Sequence, residues 1–407
     1  MYWDSVWKLS LVADRFTRDR FFSIKKYLHL ADNSTITDRK SSNADRLAKV
    51  RPLMNVLQAN FKSQYNPGRY LTADEDICKF KGRSFMKQYL RAKIIKWGYW
   101  VWKLCDADNA YVLNFDVYTG KTSKITDQSL GHSVVMGLME GYLDKNHVVV
   151  MDNFFSSIPL FSDLLHRSTY ACGTVRSNRK YFPEDFKNEE VMDPGESKFW
   201  QSANFVATIW QDKRAVRLLS TCCKPEGNDV VKRKRKNNET LSLPCPPALK
   251  LYTQYMGGVD RSDRLVRTYS VSRKSKKWWL RLFYYFLDMS VANSFILYDK
   301  SPNHDKLNEL DYIKQLSLAL IGTKFNQVPP KKESKSLQSR VIQVETTGQW
   351  RWKPGKIASS VSAKDAPGEN HIILVNHVVS IYASMSASSA TIPDVDLLIS
   401  LFLYRLR

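Results

Sequence analysis

Four aspartates stand where the chain changes direction in an otherwise basic sequence. Asp106 closes the run YWVWKLC, Asp152 closes VVVM, and Asp260 and Asp263 follow the glycine pair of YMGGVDRSDR. In an α/β sheet the residues just past strand ends line the functional crevice. Carboxylates gathered there from distant segments suit Mg²⁺ or Mn²⁺, hard cations that prefer oxygen. Two such ions about 4 Å apart clamp the attacking and leaving oxygens of a phosphoryl transfer. Asp260 and Asp263 are three apart, so on a helix they share a face. Gly257 is expected to end the preceding helix as its C′ residue, and Gly258 to let the backbone turn. Each acid also has an ordinary reading. Asp106 fits a turn in DADN, where Asp108 competes for its role; Asp152 fits a strand-end cap and Asp260 an N-cap. Acids clustered without a cation raise one another's pKa, so a genuine cluster argues for metal.

The chain of 407 residues carries 62 Lys and Arg against 40 Asp and Glu, a net charge of +22. Such an excess implies a polyanionic partner, and nucleic acid is the usual one. Between Ile77 and Lys103 there is no acid among Lys79, Lys81, Arg83, Lys87, Arg91, Lys93, Lys96 and Lys103. A second acid-free window holds Arg264, Arg267, Arg273, Lys274, Lys276, Lys277 and Arg281. With Trp97, Trp100, Trp278 and Trp279 among them, these windows suggest a groove that tracks phosphates. Arg176 and Lys180 of VRSNRK join the candidate DNA contacts. KRKRK at 232–236 fits a nuclear-localisation patch or a DNA-contacting loop, so the nucleus is the expected location.

Elements must position these groups. At ~150 residues per domain the length allows two or three domains. Helical periodicity marks RFFSIKKYLHL and RLAKVRPLMNVLQANF. β-rich runs cover 99–105 and 110–117, joined as a hairpin, and HVVVMDN and TYACGTV read as short buried strands. Between them, SSIPLFSDLLHR carries a helix start at Ser156 or Ser157 with Pro159 near the first turn. Residues 179–246 form a β-rich insertion. PALKLYTQYM is a helix, and the apolar segment from Trp278 to Tyr298 is a long buried one. No uncharged run reaches the length of a membrane span, and no Cys/His grouping has zinc spacing. No GxxxxGK[ST] loop occurs, which argues against a P-loop NTPase.

The ordered blocks LTADEDICKFKGRS, YVLNFDVYTGK, VVVMDNFFSSIPLFSDLL, YACGTVRSNRK, YMGGVDRSDRL and KKWWLRLFYYFLDMSVANSFILY resemble piggyBac-type transposases and their domesticated derivatives. The likeness spans about Tyr2 to Asp299. It implies an α/β fold: an RNase H-like mixed-sheet core interrupted by the β-rich insertion and flanked by a discontinuous helical dimerisation and DNA-binding domain. The implied divisions are 1–97 and 270–325 for the helical region, 98–178 and 247–269 for the core, 179–246 for the insertion, and 326–407 for a tail. The family's catalytic, metal-holding aspartates carry over to Asp106, Asp152 and Asp260, and a fourth acid to Asp263. The resemblance also implies cleavage and joining of DNA at TTAA targets by a homodimer using Mg²⁺ or Mn²⁺. No cysteine follows Cys245, so the family's cysteine-rich zinc module is not expected here. A non-catalytic DNA-binding derivative, or an inactive relic, is the alternative reading.

Overall fold

The protein is described by a computed structural model covering residues 3–321, except 7, 15–16, 37–40, 42–43, 92–94, 121–127, 188–191, 235–239, 272–274 and 303. The expected tail from 326 lies outside the described residues.

Helices α1 (Ser10–Ala13), α2 (Arg18–Tyr27) and α3 (Arg51–Gln64) precede the sheet. Thr17 caps α2 by accepting from the Arg20 amide. Pro52 sits in the first turn of α3, where its missing N–H breaks no helical bond. Strands β1 (Tyr70–Lys79), β2 (Gln88–Tyr89), β3 (Trp97–Asp106) and β4 (Val112–Val117) follow, then α4 (Leu130–Leu138), β5 (Val148–Met151), α5 (Ile158–His166) and β6 (Tyr170–Thr174). Next come α6 (Glu184–Lys187), β7 (Ser197–Ser202), β8 (Phe205–Gln211), β9 (Ala215–Ser220), β10 (Asp229–Lys234) and β11 (Thr240–Cys245). The described chain closes with α7 (Pro247–Tyr255), α8 (Gly258–Thr268), α9 (Trp278–Lys300) and α10 (Glu309–Ile321).

The main sheet runs β2-β3-β1-β5-β6-β9-β8-β7, with β4 on β3. β3 and β4 form the expected antiparallel hairpin. β1, β5 and β6 are mutually parallel. The four residues of β5 are all buried, as a strand covered on both faces requires. Ser157 is the N-cap of α5, accepting from the Leu160 amide, with Pro159 in the first turn. β1 falls inside the segment expected to be helical, 1–97, yet it is the central strand on which β3 and β5 pair. The sheet therefore begins at Tyr70, not near 98. In the insertion, β9 hydrogen-bonds to β6 and extends the same sheet, while β10 and β11 form a separate hairpin.

Helix α9 is buried along most of its length, and its polar side chains bind neighbouring segments. Asn293 accepts from the Val112 amide at 2.8 Å and donates to the Val112 carbonyl at 2.9 Å. Asp288 accepts from Ser270 and from the Val271 amide.

Gly257 follows Met256, the C-cap of α7, and so stands at C′ as expected, but no left-handed turn is made there. Gly257 has φ −77°, and neither glycine is among those with positive φ. Gly258 instead permits close approach. A Cβ there would lie 2.8 Å from Thr72 Oγ1 and 3.3 Å from Ala107 Cα, whereas one on Gly257 would meet nothing within 4 Å. Gly258→Ala is therefore expected to cost about 1–3 kcal/mol through forced displacement of α8 from β1. Gly257→Ala should leave the melting temperature unchanged or slightly raised. Thermal unfolding of the two variants separates close packing from turn geometry.

Candidate metal centre

β1 carries three successive acids, Asp74, Glu75 and Asp76, which divide between two clusters. β5 ends at Met151 opposite Ala73, while β1 continues to Lys79 beside β3. Past that point β1 has lost one neighbour, and Asp74, Glu75 and Asp152 meet in the opening. Carboxylate oxygens of the three lie within 4.8 Å of one another. Asp152 turns the chain there: its side chain accepts from the Phe154 amide at 2.8 Å and its carbonyl from Ser156 Oγ at 2.9 Å. Asp74 accepts from the Glu75 amide at 2.8 Å. Burial, with the charges of Glu75 and Asp152, pushes the Asp74 carboxyl up to about 9. Three hard oxygen donors that repel one another suit a divalent cation of the Mg²⁺ or Mn²⁺ type, which offsets the repulsion.

Asp106 is not in this group. β3 runs antiparallel to β1 and pairs Asp106 with Leu71, whereas β5 runs parallel to β1 and ends level with Ala73. The chain thus leaves the C-terminal ends of β3 and β5 in opposite directions along β1. Asp106 is 1% exposed, and its carboxylate is committed to structure. It accepts from Tyr65 Oη and the Gly68 amide at 2.9 Å each, and from the amides of Asp108 and Asn109. The ordinary turn reading of DADN holds for Asp106. Asp108 is exposed.

Asp260 and Asp263 part company on α8. Thr72, Asp74 and Asp76 share one face of β1, and α8 lies over it. Thr72 Oγ1 donates to the Tyr255 carbonyl at 2.6 Å, and Arg267 pairs with Asp76. Asp260 stands in the first turn of α8 and is exposed, outside the 4.8 Å group. Asp263 is buried and bound to Lys103 Nζ at 2.7 Å; the same ammonium holds Asp76 at 3.1 Å. Tyr285 Oη donates to Asp76 as well. Burial works to raise Asp76, but Lys103, hydrogen bonds and Arg267 outweigh it and hold its carboxyl well below the usual range. Burial pushes Asp263 the other way, upward, despite Lys103. Asp263 therefore belongs to an ion cluster that joins β1, β3, α8 and α9, not to the Asp74 group.

A family model described as Transposase IS4 matches residues 1–295. Human PiggyBac transposable element-derived protein 2 is 27% identical over 84% of the chain and 58% of its own length. Human PiggyBac transposable element-derived protein 3 is 29% identical over 72% of the chain and 50% of its own. The chain belongs to the piggyBac-type transposase family. It spans between half and three-fifths of the length of these relatives. A cryo-EM structure of the piggyBac transposase synaptic complex with hairpin DNA superposes with TM-score 0.68 at 26% identity, covering 81% of this chain and 68% of that one. The piggyBac-type fold here is a mixed sheet of the RNase H-like kind, and among the described residues no helix is long and apolar enough to cross a membrane.

The basic windows of this piggyBac-type chain divide in the same way. Lys103 is fully buried, Arg267 pairs with Asp76, and Arg281 donates to the Lys79 carbonyl at 2.7 Å; all three hold the fold together. Arg83, Lys96, Arg176, Lys180, Lys276 and Lys277 are exposed. Lys93, Arg273 and Lys274 lie outside the described residues, as do Arg235 and Lys236 of the KRKRK run. Arg176 Nε donates to Asn153 Oδ1 at 2.9 Å, and Arg179 Nη2 donates to the carbonyls of Asn153 and Phe154. Two guanidiniums therefore brace the loop that follows Asp152. Asp74, Glu75 and Arg179 were not among the residues expected from sequence. Acids are depleted from strands, and three in a row inside LTADEDICKF was the available signal.

Proposed function

We infer that this piggyBac-type chain cleaves and joins DNA strands in a metal-dependent reaction at TTAA targets, with Asp74, Asp152 and Asp260 as its principal carboxylates. The observation that carries the reading is the convergence of Asp74, Glu75 and Asp152 within 4.8 Å at the mouth left by β5. Asp74, Asp152 and Glu75 would hold Mg²⁺ or Mn²⁺. Asp260, exposed on the helix that covers the Asp74 face of β1, would approach the same ions from the substrate side. When bound, the ions would supply the clamp on attacking and leaving oxygens that phosphoryl transfer needs. Arg176 and Arg179 place positive charge beside Asp152, where a phosphate would lie. The exposed lysines and arginines would carry sequence-independent DNA affinity. A homodimer acting in the nucleus is part of the same reading, supported by the family and by the basic composition.

The divalent cation has a pH signature. With a folded pKa of about 9, well above the carboxylate range, Asp74 keeps its proton at neutral pH. Its contribution to stability is present below about pH 4 and is lost as pH rises toward 9, because the unfolded chain gives up the proton first. Mn²⁺ must displace that proton, so its affinity should rise with pH up to about 9 and binding should release a proton. Titration calorimetry in two buffers of different ionisation heat measures the release. Binding without proton release would place the cation elsewhere.

The deciding assay incubates the purified chain with Mg²⁺ or Mn²⁺ and DNA ends bearing TTAA, beside scrambled ends. Cation-dependent nicking that is absent in Asp152→Asn supports the reading. Tight binding of both DNAs with no nicking would identify a DNA-binding derivative without catalytic activity.

A further inference from the structure

We propose that the hairpin joining β1 to β3 is a stacking platform for unpaired DNA bases, a surface distinct from the carboxylate centre. Three large rings stand in solvent there: Phe85 is 62% exposed, Tyr89 51% and Trp97 46%. Tyr89 and Trp97 are cross-strand neighbours on β2 and β3, their ring centroids 4.7 Å apart. Lys87 Nζ lies 4.8 Å from the Trp97 centroid and the Arg46 guanidinium 5.6 Å from that of Phe85. By contrast Trp100, also in this window, packs on Tyr118 and Phe154.

Exposed rings of this size mark a contact surface, and charge decides the occupant. Lys81, Arg83, Arg91 and Lys96 are exposed around the rings, and no acid lies between Cys78 and Lys103. A second copy of this chain meeting the patch face to face would set cation against cation, a costly pairing in a symmetric interface. A polyanion fits the charge. Duplex DNA would offer phosphates but keep its base faces stacked inside, whereas an unpaired strand offers both phosphates and faces, the combination that aromatic and basic grooves bind. The location suits such a strand. Trp97 adjoins the end of β1 at Phe80 and Lys79, five residues beyond Asp74 and so about 17 Å along the strand, at the edge toward which Asp152 also opens.

This inference rests on the DNA reading above but not on catalysis, and its test avoids cleavage. Binding of a fluorescent oligothymidylate, of the same length of abasic strand and of a duplex is measured in EDTA, using the Asp152→Asn chain with and without Trp97→Ala, Tyr89→Ala or Phe85→Ala. The rings are exposed, so circular dichroism should be unchanged. Loss of each ring should weaken oligothymidylate binding about 5- to 100-fold, the equivalent of one stacked base. Duplex and abasic strand should change by less than about twofold. Equal losses on all three probes, or no loss on oligothymidylate, would overturn the platform while leaving the cleavage reading intact. A concentration-dependent dimer that Trp97→Ala converts to monomer would assign the patch to a second copy instead.

Discussion

Asp74→Ala and Asp152→Ala each reduce cation-dependent nicking by more than about a hundredfold, and Asp106→Ala does not act in this way. The first two remove oxygen donors from a group within 4.8 Å. Charge stabilisation by a bound ion is worth several kcal/mol, and each 1.4 kcal/mol is tenfold in rate. They should also weaken Mn²⁺ binding directly, which electron paramagnetic resonance measures without any DNA present. Asp106→Ala deprives Tyr65 Oη and three backbone amides of their acceptor. Its expected effect is a lowered melting temperature with Mn²⁺ affinity retained. The opposite pattern, lost Mn²⁺ binding with an unchanged melting temperature, would restore Asp106 to the centre and remove Asp74 from it.

Lys103→Met is expected to destabilise the chain by about 3–5 kcal/mol, the cost of removing one partner from a buried ion cluster. The ammonium is fully buried and holds Asp76 and Asp263 together; without it Asp76 keeps Arg267 as its cation, with the Tyr285 hydroxyl and the Ile77 amide as hydrogen-bond donors. Denaturant unfolding measures the loss. Replacing Asp76 and Asp263 by Leu in the same variant should recover part of it, because the uncompensated carboxylates are then gone. A loss below about 1 kcal/mol would mean that water reaches the cluster and that α8 is held by apolar contacts alone. Asp263 was expected to share a face with Asp260. On a helix, residues three apart lie about 60° apart around the axis, and here that difference separates an exposed carboxylate from a buried one.

Local sequence was a good guide wherever one short-range rule governs. Alternation and β-branched runs marked β3, β4, β5 and β6, serine with proline marked the start of α5, and apolar continuity marked α9. β1 escaped because acids interrupt it. The run of Asp74, Glu75 and Asp76 is poor strand sequence by propensity, and it becomes a strand because β3 pairs along it, continuing a strand that β5 flanks as far as Ala73. That tertiary override also hid the cluster, since two of the residues that spoil the pattern, Asp74 and Glu75, are the ones that meet Asp152.

The strand-end argument singled out Asp152, which meets Asp74 and Glu75, and Asp106, which does not. Both follow apolar runs, and nothing local says which way a strand runs relative to its neighbours. Strand direction belongs to the sheet: β5 lies parallel to β1 and β3 antiparallel, so residues just past their ends leave in opposite directions. The glycine pair shows the same limit. Its type signalled a break between helices, but Gly258 is required by Thr72 and Ala107, residues more than 150 positions earlier.

By itself the sequence determined the strong positive charge, the family, the buried strands and α9, because charge, motif order and apolar periodicity are properties of neighbouring residues. Only the tertiary structure decided which acids meet. Lys103, Arg267 and Arg281 read as surface cations, but Lys103 is buried and the two arginines bind groups of β1 from the surface, while Asp74 and Glu75 read as part of a charged stretch and became a cluster. Whether a charge faces solvent, a counterion or another charge depends on chain segments brought together by folding, and that information is not carried by any window of the sequence.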